Sequence, residues 1–343
     1  SGSMPNWGVT YLAITSMGAV VVPVLPDFTP EEVSNVLRHS ETKAIFVSGA
    51  LTGKLAGFSS ASLRLLITLD DFAVISGYNG TGHDPSARPE KSYPVEEEDI
   101  AALIYTSGTT GKSKGVMLTH KNLCWTAEKT LTIQRVNDKD IFLSILPLSH
   151  TYEQTLGLIL PVFNGASVYY LRKPPTPAVL LPALELVKPT TMLTVPLIME
   201  KIYYNKILPS FSENRILSIL YKIPLIRKKL NALAGKKLKK TFGGEIKFYG
   251  IGGAKLNSTV EKFLMEAKFP YAIGYGLTET SPLLAGANPQ KSVLESTGPA
   301  IEGIELIIHD PDQKTGEGEI WARGPNIMKG YYKEPELTAE VLT

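Results

Sequence analysis

The stretch 100-IAALIYTSGTTGKSKGVMLTH-120 places a polar segment between two apolar runs. The run from Ile100 to Tyr105 predicts a buried strand, and 115-GVMLTH-120 predicts another. Between them, residues 106–114 contain no apolar side chain. Because two strands can be joined by a shorter turn, we expect these nine residues to form a binding loop, with an ordinary polar hairpin turn as the alternative.

The composition of this loop suits an anion. Hydroxyl groups can bind phosphate oxygens, glycines let backbone amides approach closely, and lysines add positive charge. The residues that offer these groups are Thr106, Ser107, Gly108, Thr109, Thr110, Gly111, Lys112 and Lys114. The loop is therefore predicted to wrap a polyphosphate.

Two other kinds of loop are weaker matches. A nucleoside-triphosphate P-loop needs a glycine five positions before Gly111, where this chain has Thr106. The segment 111-GKSKG-115 fits the G-x-S-x-G pattern of serine hydrolases, with Ser113 as nucleophile. That serine must lie on a sharp turn between strand and helix, whereas Ser113 lies well beyond the predicted strand. A serine hydrolase stays open as the third functional hypothesis.

Helix and strand patterns alternate along most of the chain. Short, apolar, β-branched strands separated by helices are typical of an α/β fold with parallel sheets covered on both faces. The capping box 29-TPEE-32 predicts a helix start. Predicted strands are 44–47, 100–105, 141–146, 168–171, 191–195, 246–251 and 271–276, and predicted helices include 121–131, 152–162, 177–187 and 258–267. After residue 296, antiparallel strands are predicted at 304–308 and 319–322.

Composition and charge restrict the class of protein. With 343 residues, 43% of them hydrophobic, the chain can form more than one core. A net charge of +2 gives no reason to expect nucleic acid as a partner. The single cysteine, Cys124, predicts a reducing, cytoplasmic location. The apolar run 11–25 is too short and too polar for a transmembrane helix, and segment 77–94 is predicted to be a mobile surface loop.

One segment, 222-KIPLIRKKLNALAGKKLKK-240, carries eight lysines and arginines among leucines and isoleucines. It could lie on an anionic membrane as a basic amphipathic helix, which would make the protein peripheral at the inner membrane face. The favoured interpretation is a solvated helix face, because Pro224 and Gly235 would interrupt the stripe.

The loop and four further motifs resemble the adenylate-forming (AMP-binding) superfamily, and within it the bacterial long-chain fatty-acid–CoA ligases most of all. The motifs are 105-YTSGTTGKSKG-115, 146-LPLSH-150, 251-IGGAKL-256, 274-GYGLTETSP-282 and 317-EGEIWARGPNIMKGYYKEPELT-338. They occur in the family's order, and the resemblance covers residues 5–343.

The resemblance implies a fold of two flavodoxin-like layered α/β subdomains (αβαβα) and a small β-barrel-like unit, with the C-terminal lid domain absent. We expect the first subdomain at 5–135, the second at 136–295 and the truncated β unit at 296–343, with residues 1–4 as an expression remnant. The nucleotide would lie in the crevice between the subdomains. The chain is expected to be a fragment, close to inactive without the lid.

The activity implied by the resemblance is that of an acid–thiol ligase. ATP and a fatty acid give acyl-AMP and pyrophosphate, and coenzyme A, as co-substrate, then displaces AMP. Thr106, Ser107, Gly108, Thr109, Thr110, Gly111 and Lys114 would hold the β- and γ-phosphates. Gly252, Gly253 and Ala254 would border adenine, with Tyr275 and Gly276 beside it. Thr278 would bind the α-phosphate, Glu279 would bind Mg²⁺, and His150 would orient the acid.

Structural alternatives exist for several of these residues. His150 could be a structural hydrogen-bonding group, and Glu279 could only flank a helix start. A metal pair of His150 and Glu153 is weak, since two ligands are too few. A non-catalytic nucleotide- or acyl-binding module is the second functional hypothesis. The sequence determines neither the length or class of the acid nor the oligomeric state.

Overall fold

The computed structural model describes residues 2–77, 93–106, 113–213 and 215–343. Its strands are β1 Ala44–Val47, β2 Leu65–Thr68, β3 Val74–Ser76, β4 Ile100–Thr106, β5 Lys114–Thr119, β6 Ile141–Ser144, β7 Ser167–Tyr170, β8 Thr191–Thr194, β9 Phe248–Ile251, β10 Tyr271–Tyr275, β11 Ala285–Gly286, β12 Glu305–His309, β13 Glu319–Arg323 and β14 Gly330–Tyr331. Its α-helices are α1 Pro5–Ser16, α2 Pro30–His39, α3 His120–Thr130, α4 Thr151–Gln154, α5 Leu160–Phe163, α6 Pro177–Val187, α7 Pro196–Ile202, α8 Leu208–Ser212, α9 Arg215–Tyr221, α10 Pro224–Thr241, α11 Ser258–Glu266 and α12 Pro335–Val341.

The largest sheet has six strands in the order β11-β10-β9-β8-β6-β7. From β7 to β10 all neighbours are parallel, and only the edge strand β11 runs antiparallel. Numbered along the chain, the parallel strands have the order 2-1-3-4-5, which is the flavodoxin-like arrangement. The predicted α/β fold class is confirmed. The order in which strands are added to the sheet reverses between β6 and β8, and an open crevice is expected at that point.

The N-terminal half contributes strands to two three-stranded sheets. In one, β1 and β2 are parallel and β3 is antiparallel to β2, with Val33 and Leu37 of α2 packed on Ile45 and Val47. The predicted capping box starts α2, since the Thr29 hydroxyl accepts from the Glu32 N–H. The predicted boundaries of the two subdomains stay predictions.

Strand β4 differs from the parallel pairing expected for it. It pairs antiparallel with β5, and β14 adds antiparallel to the other edge of β5. The physical reason is that only seven residues separate β4 from β5, whereas a parallel neighbour would need a crossover of a dozen or more residues. One parallel bridge does reach β4, from Val21 to Ala102.

The C-terminal unit contains the predicted antiparallel strands β12 and β13, with Ile307 opposite Trp321. These two strands form an open sheet rather than the expected barrel-like unit. Gly330 and Tyr331 of the same region are not part of this sheet and extend the β4–β5 sheet instead. The C-terminal unit is therefore joined to the base of the predicted phosphate loop.

The basic segment forms one continuous 18-residue helix, α10. The predicted interruption by Pro224 and Gly235 concerned the apolar stripe, and neither residue breaks the helix itself. Pro224 is the first residue of the helix, where a missing N–H costs nothing. Gly235 is buried, and a Cβ there would lie 2.1 Å from the Ala267 carbonyl oxygen. The glycine permits α10 to pack closely against the end of α11.

The predicted helix 152–162 is interrupted by one wide turn. Residues Thr155–Ile159 adopt a π-helical conformation between α4 and α5 and are buried. Such π turns occur often at functional sites. Within the described parts of the chain, no helix has the length and apolar character needed to cross a bilayer. Most of the predicted mobile loop, residues 78–92, lies outside the described residues.

Candidate active site

Three groups of predicted site residues follow strands of the six-stranded sheet. His150 comes after β6, Gly252 to Ala254 follow β9, and Tyr275 to Glu279 end and follow β10. Because these strands are parallel, their carboxyl ends lie at one edge of the sheet. The structure therefore brings together residues that are more than a hundred positions apart, at the edge where ligands of open α/β sheets bind.

The base of the predicted phosphate loop is the β4–β5 hairpin. Thr106 and Lys114 lie opposite each other in its last register pair. The predicted phosphate-binding residues Ser107, Gly108, Thr109, Thr110 and Gly111 lie outside the described residues. Ser113 immediately precedes β5 of an antiparallel hairpin. A nucleophile elbow needs a strand–turn–helix context, so the geometry disfavours Ser113 as a hydrolase nucleophile.

Glu279 is tied to the hairpin through Tyr331. The Tyr331 hydroxyl donates a 2.9 Å hydrogen bond to Glu279 Oε1, and the Met328 N–H donates to the Glu279 carbonyl at 2.9 Å. Lys114 Nζ lies 5.2 Å from the centroid of the Tyr331 ring. Burial, together with the bond to Glu279, raises the pKa of Tyr331. Lys114 and Glu279 thus share one aromatic ring as a contact.

The turn that carries Thr278 and Glu279 is shaped by Gly276. A Cβ on Gly276 would lie 1.6 Å from the Pro282 carbonyl oxygen, so only glycine fits. The Leu277 N–H donates to the Thr280 hydroxyl at 2.9 Å. This compact turn holds half-buried Thr278 and Glu279 just beyond β10.

Two buried asparagines that sequence reasoning missed attach this turn to its surroundings. The Asn326 amide, fully buried, donates to the carbonyls of Thr280 and Leu283 at 2.9 and 3.0 Å. Asn122 of α3 donates to the carbonyls of Pro325 and Ile327 at 2.7 and 3.0 Å. The available signal was an amide side chain inside an apolar context, since buried amides are kept only where they are hydrogen-bonded.

The predicted adenine-bordering residues lie after β9. Gly252 is buried, and a Cβ there would lie 3.2 Å from the Tyr152 ring. Gly253 has φ +83°, a conformation that favours glycine, and it is exposed together with Ala254. Half-buried Tyr275 ends the neighbouring strand β10. The two strand ends offer backbone and an aromatic ring to a planar ligand.

A narrow apolar cavity of about 40 Å³ lies between the six-stranded sheet and the helices over it. Its lining is almost entirely apolar and includes three glycines of the sheet. Lining residues are Tyr152, Leu156, Phe248, Gly250, Gly274, Gly286 and Ile133, among others. We call this cavity the apolar slot. The β9 and β10 residues of the slot lead directly to Gly252 and Tyr275, so the slot adjoins the predicted nucleotide position.

His150 and Glu153 do not form a metal pair. The His150 side chain is exposed at the start of α4, whereas Glu153 is 1% exposed and contacts Gly157 of the π turn. Burial raises the pKa of Glu153 to about 8. Among the residues that the structure describes, no three His, Cys, Asp or Glu side chains cluster as a metal site. A hard cation at Glu279 would therefore take its other ligands from phosphate or water, as Mg²⁺ commonly does.

His39 is a second residue that sequence reasoning missed. Its Nδ1 lies 2.7 Å from the Tyr105 hydroxyl, and its ring meets that of Tyr332 edge-on at 5.7 Å. Tyr105 and Tyr332 are the neighbours of Thr106 and Tyr331 along the chain. The C-terminal end of α2 therefore supports both strands that hold Lys114 and Glu279 in position.

A larger cavity, about 700 Å³, lies in the N-terminal half between α1, α2 and β1. Residues 19–26 form much of its wall, and the lining is mainly apolar. None of the predicted site residues contributes to it. This cavity is therefore separate from the predicted site residues at the sheet edge.

The fold is an α/β fold that matches the N-terminal domain of adenylate-forming enzymes. The family model described as "AMP-binding enzyme" matches residues 1–332, and the chain belongs to this family. The predicted family membership is confirmed.

Among its relatives is the peroxisomal long chain acyl-CoA synthetase 6 of Arabidopsis thaliana, 29% identical over 98% of this chain and 53% of that protein. The 4-coumarate–CoA ligase of Pinus taeda is 28% identical over 99% of this chain and 61% of that protein. A solved malonyl-CoA ligase, in a ternary product complex with methylmalonyl-CoA and AMP, has a TM-score of 0.73 and 22% identity over 100% of this chain and 65% of that one. The chain thus spans about half to two thirds of the length of these relatives.

Proposed function

We propose that the protein contributes the nucleotide- and acid-binding part of an ATP-dependent acid–thiol ligase that acts on a long-chain fatty acid. The observation that carries the proposal is the joint contact of Lys114 and Glu279 with Tyr331. It places a cation from the phosphate-loop hairpin and a carboxylate from the β10 turn at one position. A nucleoside triphosphate with a bound cation needs both charges there.

The proposed reaction has two steps. A carboxylate oxygen of the acid attacks the α-phosphorus of ATP, the bond to pyrophosphate breaks, and an acyl-adenylate forms. The sulfur of coenzyme A then attacks the acyl carbon, its proton is released, and AMP leaves. When bound, Mg²⁺ would neutralise charge on the phosphates.

Each residue has one task in this scheme. Lys114 and the loop 106–111 bind the β- and γ-phosphates, and Thr278 donates to the α-phosphate. Glu279 holds the cation, and Tyr331 holds the Glu279 carboxylate in place. Exposed His150 orients the acid. Charged and hydrogen-bonding groups of this kind would stabilise the charge that develops at phosphorus.

The apolar slot supports a fatty acid as the substrate. Its lining would bind methylene groups and offers almost no polar group to an amino acid or a second carboxylate. Without ligand the slot is too small for an acyl chain, and Ile133 closes it, since a Cβ on Gly286 would lie 2.7 Å from Ile133 Cδ1. Entry of a long chain therefore displaces Ile133.

We place the reaction in the cytoplasm, in keeping with the single half-buried cysteine.

Titration calorimetry with non-hydrolysable acyl-adenylate analogues of increasing chain length, with AMP as reference, tests the proposal. Affinity is expected to rise with chain length, by up to about 0.8 kcal/mol per buried methylene, until the slot is filled. Gly250→Ala and Gly274→Ala narrow the slot by one methyl group each and should favour shorter chains. Gly53→Ala is the matched control, because a Cβ there meets no atom within 4 Å.

The outcomes separate the functional hypotheses. Affinity independent of chain length would contradict an acyl site and leave a nucleotide-binding module. Covalent labelling of Ser113 by a fluorophosphonate would support the hydrolase instead. If the longer protein binds acyl-adenylate tightly yet forms no acyl-AMP from ATP and acid, the non-catalytic module is the correct function.

A further inference from the structure

Helices α9 and α10 form a surface of one charge sign. Residues 215–240, which we call the basic hairpin, contain nine lysines and arginines and no acidic residue. The rest of the chain has 26 basic and 33 acidic residues, a net charge of −7. The near-neutral total thus conceals a strong local positive charge.

One face of α10 is already used for packing. Asn231, Gly235 and Leu238 are buried on it, and Arg227 makes a bidentate ion pair with Glu266 at 2.9 Å. Within the described residues this is the only ion pair made by the basic hairpin. The other eight basic side chains of the basic hairpin are exposed.

The opposite face alternates apolar and basic side chains. Leu225 and Leu233 are 68% and 63% exposed. Lys229, Lys236 and Lys240 are exposed at spacings of three and four residues from them, which places all five on one side of the helix. The face therefore has both an apolar and a cationic component.

The apolar component continues around the tip of the hairpin. Ile219 at the end of α9 is 57% exposed, and Ile223, which precedes α10, is 46% exposed. Aliphatic side chains exposed beside lysines fit the boundary between lipid headgroups and acyl chains. A nucleic acid would also attract the lysines, but aliphatic side chains provide no ring on which a base can stack.

We propose that the basic hairpin docks on an anionic lipid bilayer, with α10 lying in the plane of the headgroups. Leu225, Leu233 and the isoleucines of the tip would enter the acyl boundary, and the lysines would contact anionic headgroups. In the cytoplasm this would be the inner face of a membrane. The inference goes beyond the proposed function and does not depend on it.

Co-sedimentation with vesicles tests the proposal. The protein is mixed with vesicles of phosphatidylcholine alone, or of phosphatidylcholine with about 30% phosphatidylglycerol. We expect at least tenfold tighter binding to the anionic vesicles, weakened by added salt. Two variants should each lose at least tenfold in affinity for the anionic vesicles. They are Leu225→Ser/Leu233→Ser and Lys229→Gln/Lys236→Gln/Lys240→Gln.

Matched controls carry the same substitutions elsewhere on the surface. Val293→Ser/Ile307→Ser changes side chains that are 63% and 55% exposed, and Lys139→Gln/Lys291→Gln/Lys314→Gln changes three exposed lysines. These variants should bind as the parent does, and circular dichroism verifies that all of them fold. Equal binding by hairpin and control variants, or no preference for anionic vesicles, would overturn the proposal. The proposal would also be overturned if a single-stranded oligonucleotide released the protein from anionic vesicles at a concentration of negative charge below that of the vesicle lipids.

Discussion

The hydroxyl of Tyr331 donates a 2.9 Å hydrogen bond to Glu279 Oε1, across 52 positions of the chain. One residue belongs to the short strand β14, and the other to the turn after β10. The bond fixes the orientation of the carboxylate before any cation arrives. A charged acceptor makes this bond stronger than a neutral pair would.

Replacing Tyr331 with phenylalanine should weaken binding of Mg·ATP about tenfold, because removal of a hydrogen bond to a charged group costs about 1.5 kcal/mol or more. Binding of AMP without Mg²⁺ should change much less, since in the proposed function Glu279 acts through the cation. Titration calorimetry with both ligands provides the comparison. Tyr169→Phe, at a 51% exposed position, is the matched control. An equal loss for AMP and Mg·ATP would show that Tyr331 acts only on the fold.

Gly276→Ala should damage the β10 turn severely. A Cβ at this position would lie 1.6 Å from a backbone oxygen, and the backbone must move to relieve the clash. We expect a loss of about 3 kcal/mol or more in the free energy of unfolding, measured by urea denaturation. Gly53→Ala adds the same methyl group in open space and should be nearly neutral. Parent-like stability of Gly276→Ala would mean that the turn is more open than described.

Asn326→Ala should lower the free energy of unfolding by about 2–3 kcal/mol, because it leaves the carbonyls of Thr280 and Leu283 without their donor inside the core. Asn326→Asp should cost more, since it faces the same two carbonyls with a carboxylate of equal size. Urea denaturation gives both values. If Asn326→Asp were the more stable of the two variants, water would have to reach this side chain and solvate the carboxylate.

The buried carboxyl of Glu153 should make stability depend on pH. Its pKa is about 8 in the folded chain and near 4.5 when exposed, so the folded state holds a proton that the unfolded state releases. The free energy of unfolding should therefore fall as the pH rises from about 4.5 to about 8, by about 1.4 kcal/mol per pH unit from this group.

Glu153→Gln keeps the shape of the neutral carboxyl and cannot ionise. Between pH 5.5 and 7.5, the parent should lose about 2–3 kcal/mol more stability than this variant, as followed by thermal or urea unfolding. Glu185→Gln, on the exposed surface of α6, should leave the pH dependence of the parent unchanged. Identical profiles for parent and Glu153→Gln would contradict a neutral buried carboxyl.

Local patterns were sufficient to predict most elements of the fold. Apolar runs placed β1, β6, β8 and β10 to within about two residues, and 29-TPEE-32 predicted the start of α2. Such signals depend on neighbours in sequence, through propensity, capping and hydrophobic periodicity. The motifs predicted the family for the same reason, because they are contiguous.

Long-range pairing could not be predicted in this way. The partner of β4, the joining of β14 to the β5 edge and the close packing of Gly235 against Ala267 depend on segments far apart in the chain. Packing decides such features, and tertiary contacts override local preference.

The sequence by itself determined an α/β architecture and the basic segment, and it predicted a nucleotide loop and turn, since each depends on contiguous residues. Only the tertiary structure decided that Tyr331 holds Glu279 beside Lys114, that Asn326 and Asn122 anchor the turn, and which face of α10 stays exposed. The physical reason is that hydrogen bonds and burial are properties of groups in three dimensions. Sequence spacing constrains them only within a single helix or strand.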